Sequence, residues 1–222
     1  MYSNDLFELQ VCADKRSNLK FILQIFVFNF QINKWEWKKL NPKAPTTGEN
    51  PCRRIGHSFT VVGKRIFMFG GLANKSNDPH NNIPVYLNDL YILNFKQNVM
   101  TWEIPVTYGK GPSVRESHSA VAFYDDINQK NYLVIYGGMN GKRLGDTWLL
   151  DTESMMWESP KLKGPLPLPR SLHTTTLIGH KMYIFGGWIP SIFSVKHESE
   201  WLCTNTLGCL NLSRIIITIL NQ

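Results

Sequence analysis

One phrase is written three times along this chain, and that repetition restricts the fold more than any single residue does. A stretch from His57-Ser-Phe-Thr-Val-Val to the double glycine Gly70-Gly71 returns as His118-Ser-Ala-Val-Ala-Phe closing on Gly137-Gly138. It returns again as His173-Thr-Thr-Thr-Leu-Ile closing on Gly186-Gly187. Each copy opens with Arg-x-x-His, as Arg54/His57, Arg115/His118 and Arg170/His173. A unit repeated at this spacing buries its apolar faces only against neighbouring units, which leaves blades or solenoid turns as solutions. Each copy ends where paired glycines let the backbone turn without a Cβ clash.

The second half of each copy supplies two more strands. A polar loop leads to Leu87-Asn-Asp-Leu-Tyr-Ile-Leu93 in one unit and Leu144-Gly-Asp-Thr-Trp-Leu-Leu150 in the next. A tryptophan strand follows, Trp102-Glu-Ile-Pro105 or Trp157-Glu-Ser-Pro160. Period-two stretches separated by Gly, Pro, Asn and Asp clusters predict an all-β chain, and no segment carries helical periodicity. Four strands per unit make one propeller blade.

Paired glycines followed by a spaced tryptophan resemble the kelch motif. In detail, Arg115-Glu-Ser-His118, Val134-Ile-Tyr-Gly-Gly-Met139, Arg143-Leu-Gly-Asp146, Leu168-Pro-Arg-Ser-Leu-His173, Lys181-Met-Tyr-Ile-Phe-Gly-Gly-Trp188 and Cys203-Thr-Asn-Thr-Leu207 resemble the kelch domain of the host cell factor family. That resemblance implies an incomplete kelch β-propeller, an arc of two full and two partial four-stranded blades out of an expected six. Residues 1–10 and 32–42 form one partial blade, as its third and fourth strands. Residues 43–106 and 107–160 form two full blades, and 161–212 a further partial one. An arc leaves strand edges and a blade face uncovered, so the isolated polypeptide is expected to self-associate.

Two segments break the pattern. Residues 11–31 intervene between Phe7 and Trp35, and removing them restores the usual spacing between the third-strand aromatic and the fourth-strand tryptophan. Valine codons begin with GT and Phe-Gln can be encoded as TTTCAG, so this insert has the edges of a retained intron. The run Phe21-Ile-Leu-Gln-Ile-Phe-Val-Phe-Asn-Phe30 is β-prone and too apolar for a solvated loop. Residues 213–222 form a divergent tail that lacks a fourth-strand tryptophan.

Charge and cysteines narrow the function. The formal net charge is +7, dispersed as short pairs with no long basic run, which suits acidic peptide partners and argues against direct nucleic-acid binding. No segment has the length and apolarity of a membrane span. The four cysteines, Cys12, Cys52, Cys203 and Cys209, form no Cys-x-x-Cys pair, and reduced thiols are expected.

The recurring residues have structural readings first. His57, His118 and His173 sit at equivalent places in different blades, so rotation about the propeller axis is expected to separate them, and no metal or cofactor site is expected. Gly70, Gly71, Gly137, Gly138, Gly186 and Gly187 mark turns, while Trp35, Trp102 and Trp157 pack between blades with Phe7, Tyr91 and Trp148. Asp5, Asp89 and Asp146, with Thr206 in the last copy, are expected to accept backbone hydrogen bonds in turns. Arg54, Arg115, Glu116 and Arg170 fall where blade-connecting loops collect on one face, and are the candidate partner-binding residues. No catalytic residue is expected: Gly138-Met-Asn-Gly-Lys142 resembles a phosphate loop but opens no helix, and neither Gly-x-Ser-x-Gly nor His-Glu-x-x-His occurs.

The resemblance implies a protein-binding module of a nuclear transcriptional coregulator, present also in the cytoplasm. It implies capture of transcription factors through short acidic-His-x-Tyr peptides, and tethering of histone methyltransferase and other chromatin-modifying complexes. The alternative is a cytoplasmic kelch adaptor serving a cullin ubiquitin ligase or actin organisation.

Overall fold

In Ile66-Phe-Met-Phe69 and Leu133-Val-Ile-Tyr136 every residue is apolar, a pattern required only of strands covered on both faces. The computed structural model describes residues 8–10, 23–29, 34–76, 78, 80–96, 99–190 and 201–213. In it those runs are the second strands of successive sheets. A first sheet is built from β1 (Glu8–Gln10), β2 (Leu23–Asn29) and β3 (Lys34–Leu40), antiparallel in that order.

The next two sheets are complete blades. β4 (Ser58–Val62), β5 (Arg65–Asn74), β6 (Pro84–Lys96) and β7 (Val99–Glu103) lie side by side in chain order. So do β8 (Ser119–Asp125), β9 (Lys130–Met139), β10 (Arg143–Asp151) and β11 (Met156–Glu158). A last sheet holds β12 (Thr174–Ile178), β13 (Lys181–Phe185) and β16 (Leu207–Asn211). A separate hairpin, β14 (Trp188–Pro190) with β15 (Trp201–Cys203), projects between its second and third strands. Counting the first sheet as one, these are the first to fourth blades of an all-β, incomplete propeller.

β2 lies inside the segment read as an insert. Its alternation of Ile25, Val27 and Asn29 with Phe26 and Phe28 favours a strand, and it stands between β1 and β3, which the repeat spacing puts side by side. Residues 11–22, 30 and 31 lie outside the described residues. So do Asp5, Phe7, Cys12 and the tail beyond residue 213.

Blade-to-blade packing follows from the two-sided strands. Phe67, Phe69, Leu90, Ile92 and Val62 of the second blade pack on Leu133, Ile135, Leu150 and Trp157 of the third. Val121, Phe123, Val134, Tyr136 and Leu149 of the third pack on Met182, Ile184 and Leu212 of the fourth. On its other face the second blade packs Ile66, Met68, Tyr91, Leu93 and Trp102 against Leu40 at the end of β3. Each buried aliphatic or aromatic side chain contributes about 1.5–3 kcal/mol.

The fourth blade shows what happens where the series stops. Phe69, Tyr136 and Phe185 hold one register position; the first two are 1% exposed and Phe185 is 52% exposed. Val62 and Phe123 are likewise buried, whereas Ile178 is exposed, and buried Leu90 and Ile92 correspond to exposed Leu207 and Cys209. The glycines report the same asymmetry. A Cβ on Gly70 would lie 2.8 Å from Arg115 O, and one on Gly137 2.7 Å from Arg170 O. One on Gly186 meets only Thr204 O at 3.4 Å. The first glycine of each pair is therefore needed where the backbone of a following blade closes in, whereas Gly71, Gly138 and Gly187 are crowded by their own blade's entering segment in every copy, and the fourth blade presents an unfilled blade-receiving face among the described residues.

Candidate partner-binding face

The ends of the second strands, the starts of the third strands and the Arg-x-x-His segments all gather at one end of the arc. Backbone pairing explains why. Glu116 and Met139 exchange N–H···O bonds at 2.9 and 2.8 Å, as Ile55 does with Leu72 and Ser171 with Trp188. The segment entering each blade is thereby tied to the hairpin of that blade, and Gly71 N–H donates to Arg115 O at 2.8 Å across to the next.

Arg54, Arg115, Glu116 and Arg170, expected on this rim as peptide receptors, divide into two groups. The three guanidinium groups are buried and occupied within the fold. Arg115 Nη1 and Nη2 donate to the two carboxylate oxygens of Asp146, each at 2.8 Å. Nη1 also donates to Gly137 O at 3.0 Å, and Nε to Ser113 O at 3.1 Å. Arg54 repeats the arrangement with Asp89 at 2.5 and 2.8 Å and with Gly70 O at 3.0 Å. Arg170 holds Gly186 O at 3.0 Å and Thr206 Oγ1 at 3.1 Å. A planar fork suits a carboxylate bidentately, and here the carboxylate is the chain's own. Asp89 and Asp146 thus bind the repeated arginine instead of capping turns. Glu116 is half-buried, its Oε2 accepting from Ser117 Oγ at 2.8 Å.

Burial raises the cost of charging Asp146, but hydrogen bonds from Arg115 and Trp148 outweigh it and hold the carboxyl below its ordinary range. The repeat carried the signal for this pairing: arginine and aspartate recur once per copy, and threonine replaces aspartate only in the last.

His118 and His173 each reach back across a blade boundary. His118 Nε2 bonds Ser58 Oγ of the preceding blade at 2.9 Å, and His173 Nε2 bonds Ser119 Oγ at 2.8 Å. His118 also meets Phe69 edge-on at 5.5 Å, and His173 meets Tyr136 at 5.3 Å. Burial, then the neighbouring Arg115 and the flanking histidines, push His118 down to about 3. His57 and His173 fall to about 4, through burial and then Arg54 or Arg170. Neutral imidazoles stitching inner strands are the result. Among the described residues no three His, Cys, Asp or Glu side chains form a metal-holding group.

Beside each histidine the chain adopts a left-handed turn, at Gly56 (φ 64°), Ser117 (φ 51°) and Leu172 (φ 56°). Ser117 N–H donates to Gly56 O at 2.7 Å, and Leu172 N–H to Ser117 O at 3.0 Å. This backbone chain runs from blade to blade, and its left-handed geometry is invisible in residue identity at Ser117 and Leu172.

The linkers bind the outer strands as well. Lys43 lies parallel beside Thr101, and Tyr108 beside Met156. Trp102 precedes Tyr108 by the same interval that Trp37 precedes Lys43, so Trp37, not Trp35, holds the position equivalent to Trp102 and Trp157. Trp157 packs on Phe69 at 5.6 Å, whereas Trp102 meets Tyr91 and Phe59 edge-on.

Comparison with known proteins adds the family. The description "Host cell factor, Kelch-repeats domain" matches residues 19–221. The chain is 52% identical over 217 residues to host cell factor 1 of Rattus norvegicus, covering 95% of this chain and 10% of that protein. It is 54% identical over 192 residues to host cell factor of Drosophila melanogaster, covering 84% of this chain and 13% of that protein. To the host cell factor homolog hcf-1 of Caenorhabditis elegans it is 41% identical over 223 residues, covering 96% of this chain and 26% of that protein. The chain therefore spans about a tenth of the mammalian relative's length.

Proposed function

This chain belongs to the host cell factor kelch-repeat family, and from that premise we propose that it is a docking module without chemistry of its own, part of a nuclear transcriptional coregulator. In this reading it captures short acidic-His-x-Tyr peptides of transcription factors and helps tether them to histone methyltransferase and other chromatin-modifying complexes. The observation that carries the reading is the 52% identity over 95% of the chain, with the repeat motifs inside it. A rigid scaffold supports it physically, because preorganised loops lose little entropy when an extended peptide settles on them.

The test is fluorescence anisotropy of a labelled acidic-His-x-Tyr peptide titrated with the chain, beside the same peptide with His and Tyr replaced by Ala. Binding of the first and at least tenfold weaker binding of the second is expected. Equal binding of both defeats the reading.

A further inference from the structure

The hairpins crossing the glycine-bearing end of the arc differ in reach. In the second blade β5 and β6 stay paired beyond Leu72↔Tyr86 as far as Asn74↔Pro84, and Lys75 N–H then donates to Ile83 O at 2.9 Å. In the fourth blade β14 and β15 pair from Trp188↔Cys203 to Pro190↔Trp201. In the third blade the pairing stops at Arg143↔Met139, the register equivalent of Leu72↔Tyr86 and Trp188↔Cys203. A tight turn closes it, with Asn140 N–H donating to Lys142 O at 3.2 Å.

Because the blades pack in the order second, third, fourth, the short hairpin lies between two longer ones. Counted from the Asn140/Lys142 pair that closes the short hairpin, the second blade's hairpin reaches two residue pairs further and the fourth blade's one, so at about 3.3 Å per residue the notch is roughly 3–7 Å deep.

Its chemistry is cationic and aromatic. Lys142 is exposed on the turn, and half-buried Arg143 lies within electrostatic reach of Glu116 and of Tyr86. Tyr86 thus stands beside the notch from the longer hairpin of the second blade. Trp188, partly exposed, stands at the foot of the fourth blade's hairpin. Among the described residues of the third blade's hairpin and the segment paired with it, Lys142 and Arg143 face Glu116, while the buried Arg54 and Arg115 are neutralised by Asp89 and Asp146.

We propose that the notch over the third blade is where a short acidic peptide docks, Lys142 holding its carboxylate and Tyr86 and Trp188 flanking its aromatic side chain. This rests on the acidic-peptide reading above. An exposed lysine paired with a peptide carboxylate at the centre of a contact supplies electrostatic steering and register, and an aromatic pair supplies the apolar anchor.

The experiment compares Lys142→Glu, Trp188→Ala and the control Lys64→Glu for binding of the labelled acidic-His-x-Tyr peptide. Lys64 lies at the opposite end of the second blade, so its reversal changes net charge equally. Expected are at least tenfold weaker binding for Lys142→Glu and Trp188→Ala, less than twofold change for Lys64→Glu, and recovery when Lys142→Glu meets a peptide with lysine in place of its acid. Thermal melts matching the parent show that the variants fold. If the parent binds and Lys142→Glu binds as well as Lys64→Glu, the notch is wrong and the peptide reading stands. If the parent binds neither peptide, the peptide reading falls and the notch falls with it.

Discussion

Phe69 and Phe185 occupy one register position in two blades, and replacing each by alanine separates a covered blade face from an uncovered one. Phe69 is 1% exposed between the ring of His118 at 5.5 Å and that of Trp157 at 5.6 Å. Its removal deletes the transfer energy of a full ring and leaves a cavity, a loss of about 3–5 kcal/mol. Phe185 is 52% exposed, so slightly less than half of its burial energy exists to be lost and no closed cavity forms; the loss is about 1 kcal/mol. The expected gap of about 3 kcal/mol corresponds, at a urea m-value near 3 kcal/mol/M, to midpoints about 1 M apart. Tryptophan fluorescence during urea unfolding reads it, at low protein concentration so that the open face of the fourth blade stays unpaired. Coincident midpoints for Phe69→Ala and Phe185→Ala would refute the claim that the fourth blade's outer face is uncovered in this chain.

Three further outcomes follow from the same geometry. His57, His118 and His173 are neutral in the fold at about 4, 3 and 4 against an ordinary value of 6.5. The unfolded chain therefore takes up protons first, and stability is full above pH 6.5 and falls as pH drops toward 4. The depressed carboxyls of Asp146 and Asp151 extend the loss below that. Urea midpoints that stay flat between pH 7 and 4.5 contradict this. Arg115→Met takes the bidentate arginine from the Asp146 carboxylate, which keeps its Trp148 Nε1 bond, and removes the guanidinium bond to the Gly137 carbonyl; the destabilisation is about 3 kcal/mol, at the low end for a buried pair because the Asp146 side chain is 36% exposed, and calorimetry showing an unchanged melting temperature defeats it. Leu172→Gly relieves a left-handed leucine whose side chain is 65% exposed. Relief of about 1–2 kcal/mol, partly offset by glycine's unfolded-state entropy, raises stability by roughly 0.5–1 kcal/mol, and a lowered melting temperature contradicts it.

How much was legible varied with the kind of contact. The double glycines, the tryptophans and the two-sided strands were readable because each repeats with a fixed residue type. Asp146 was visible as a recurring residue but its partner was not, since Arg115 and Asp146 are 31 positions apart and only strand pairing brings them together. The arginines looked like receptors because a loop-end arginine and a buried one share the same local pattern. Spacing counted along the chain points to Trp35 but leaves the strand register open, and the bridge from Lys43 to Thr101 sets the register at Trp37.

By itself the amino-acid order determined the strand count per unit, the places where backbone must pass without a Cβ, and the kinship of the repeats, because these are local properties written residue by residue. Tertiary structure alone decided which charges are internal, that His118 and His173 bond serines of the blades before them, and that a low hairpin lies between two tall ones. Those outcomes depend on which blade stands beside which, and neighbours in space are set by packing between sheets, not by distance along the chain.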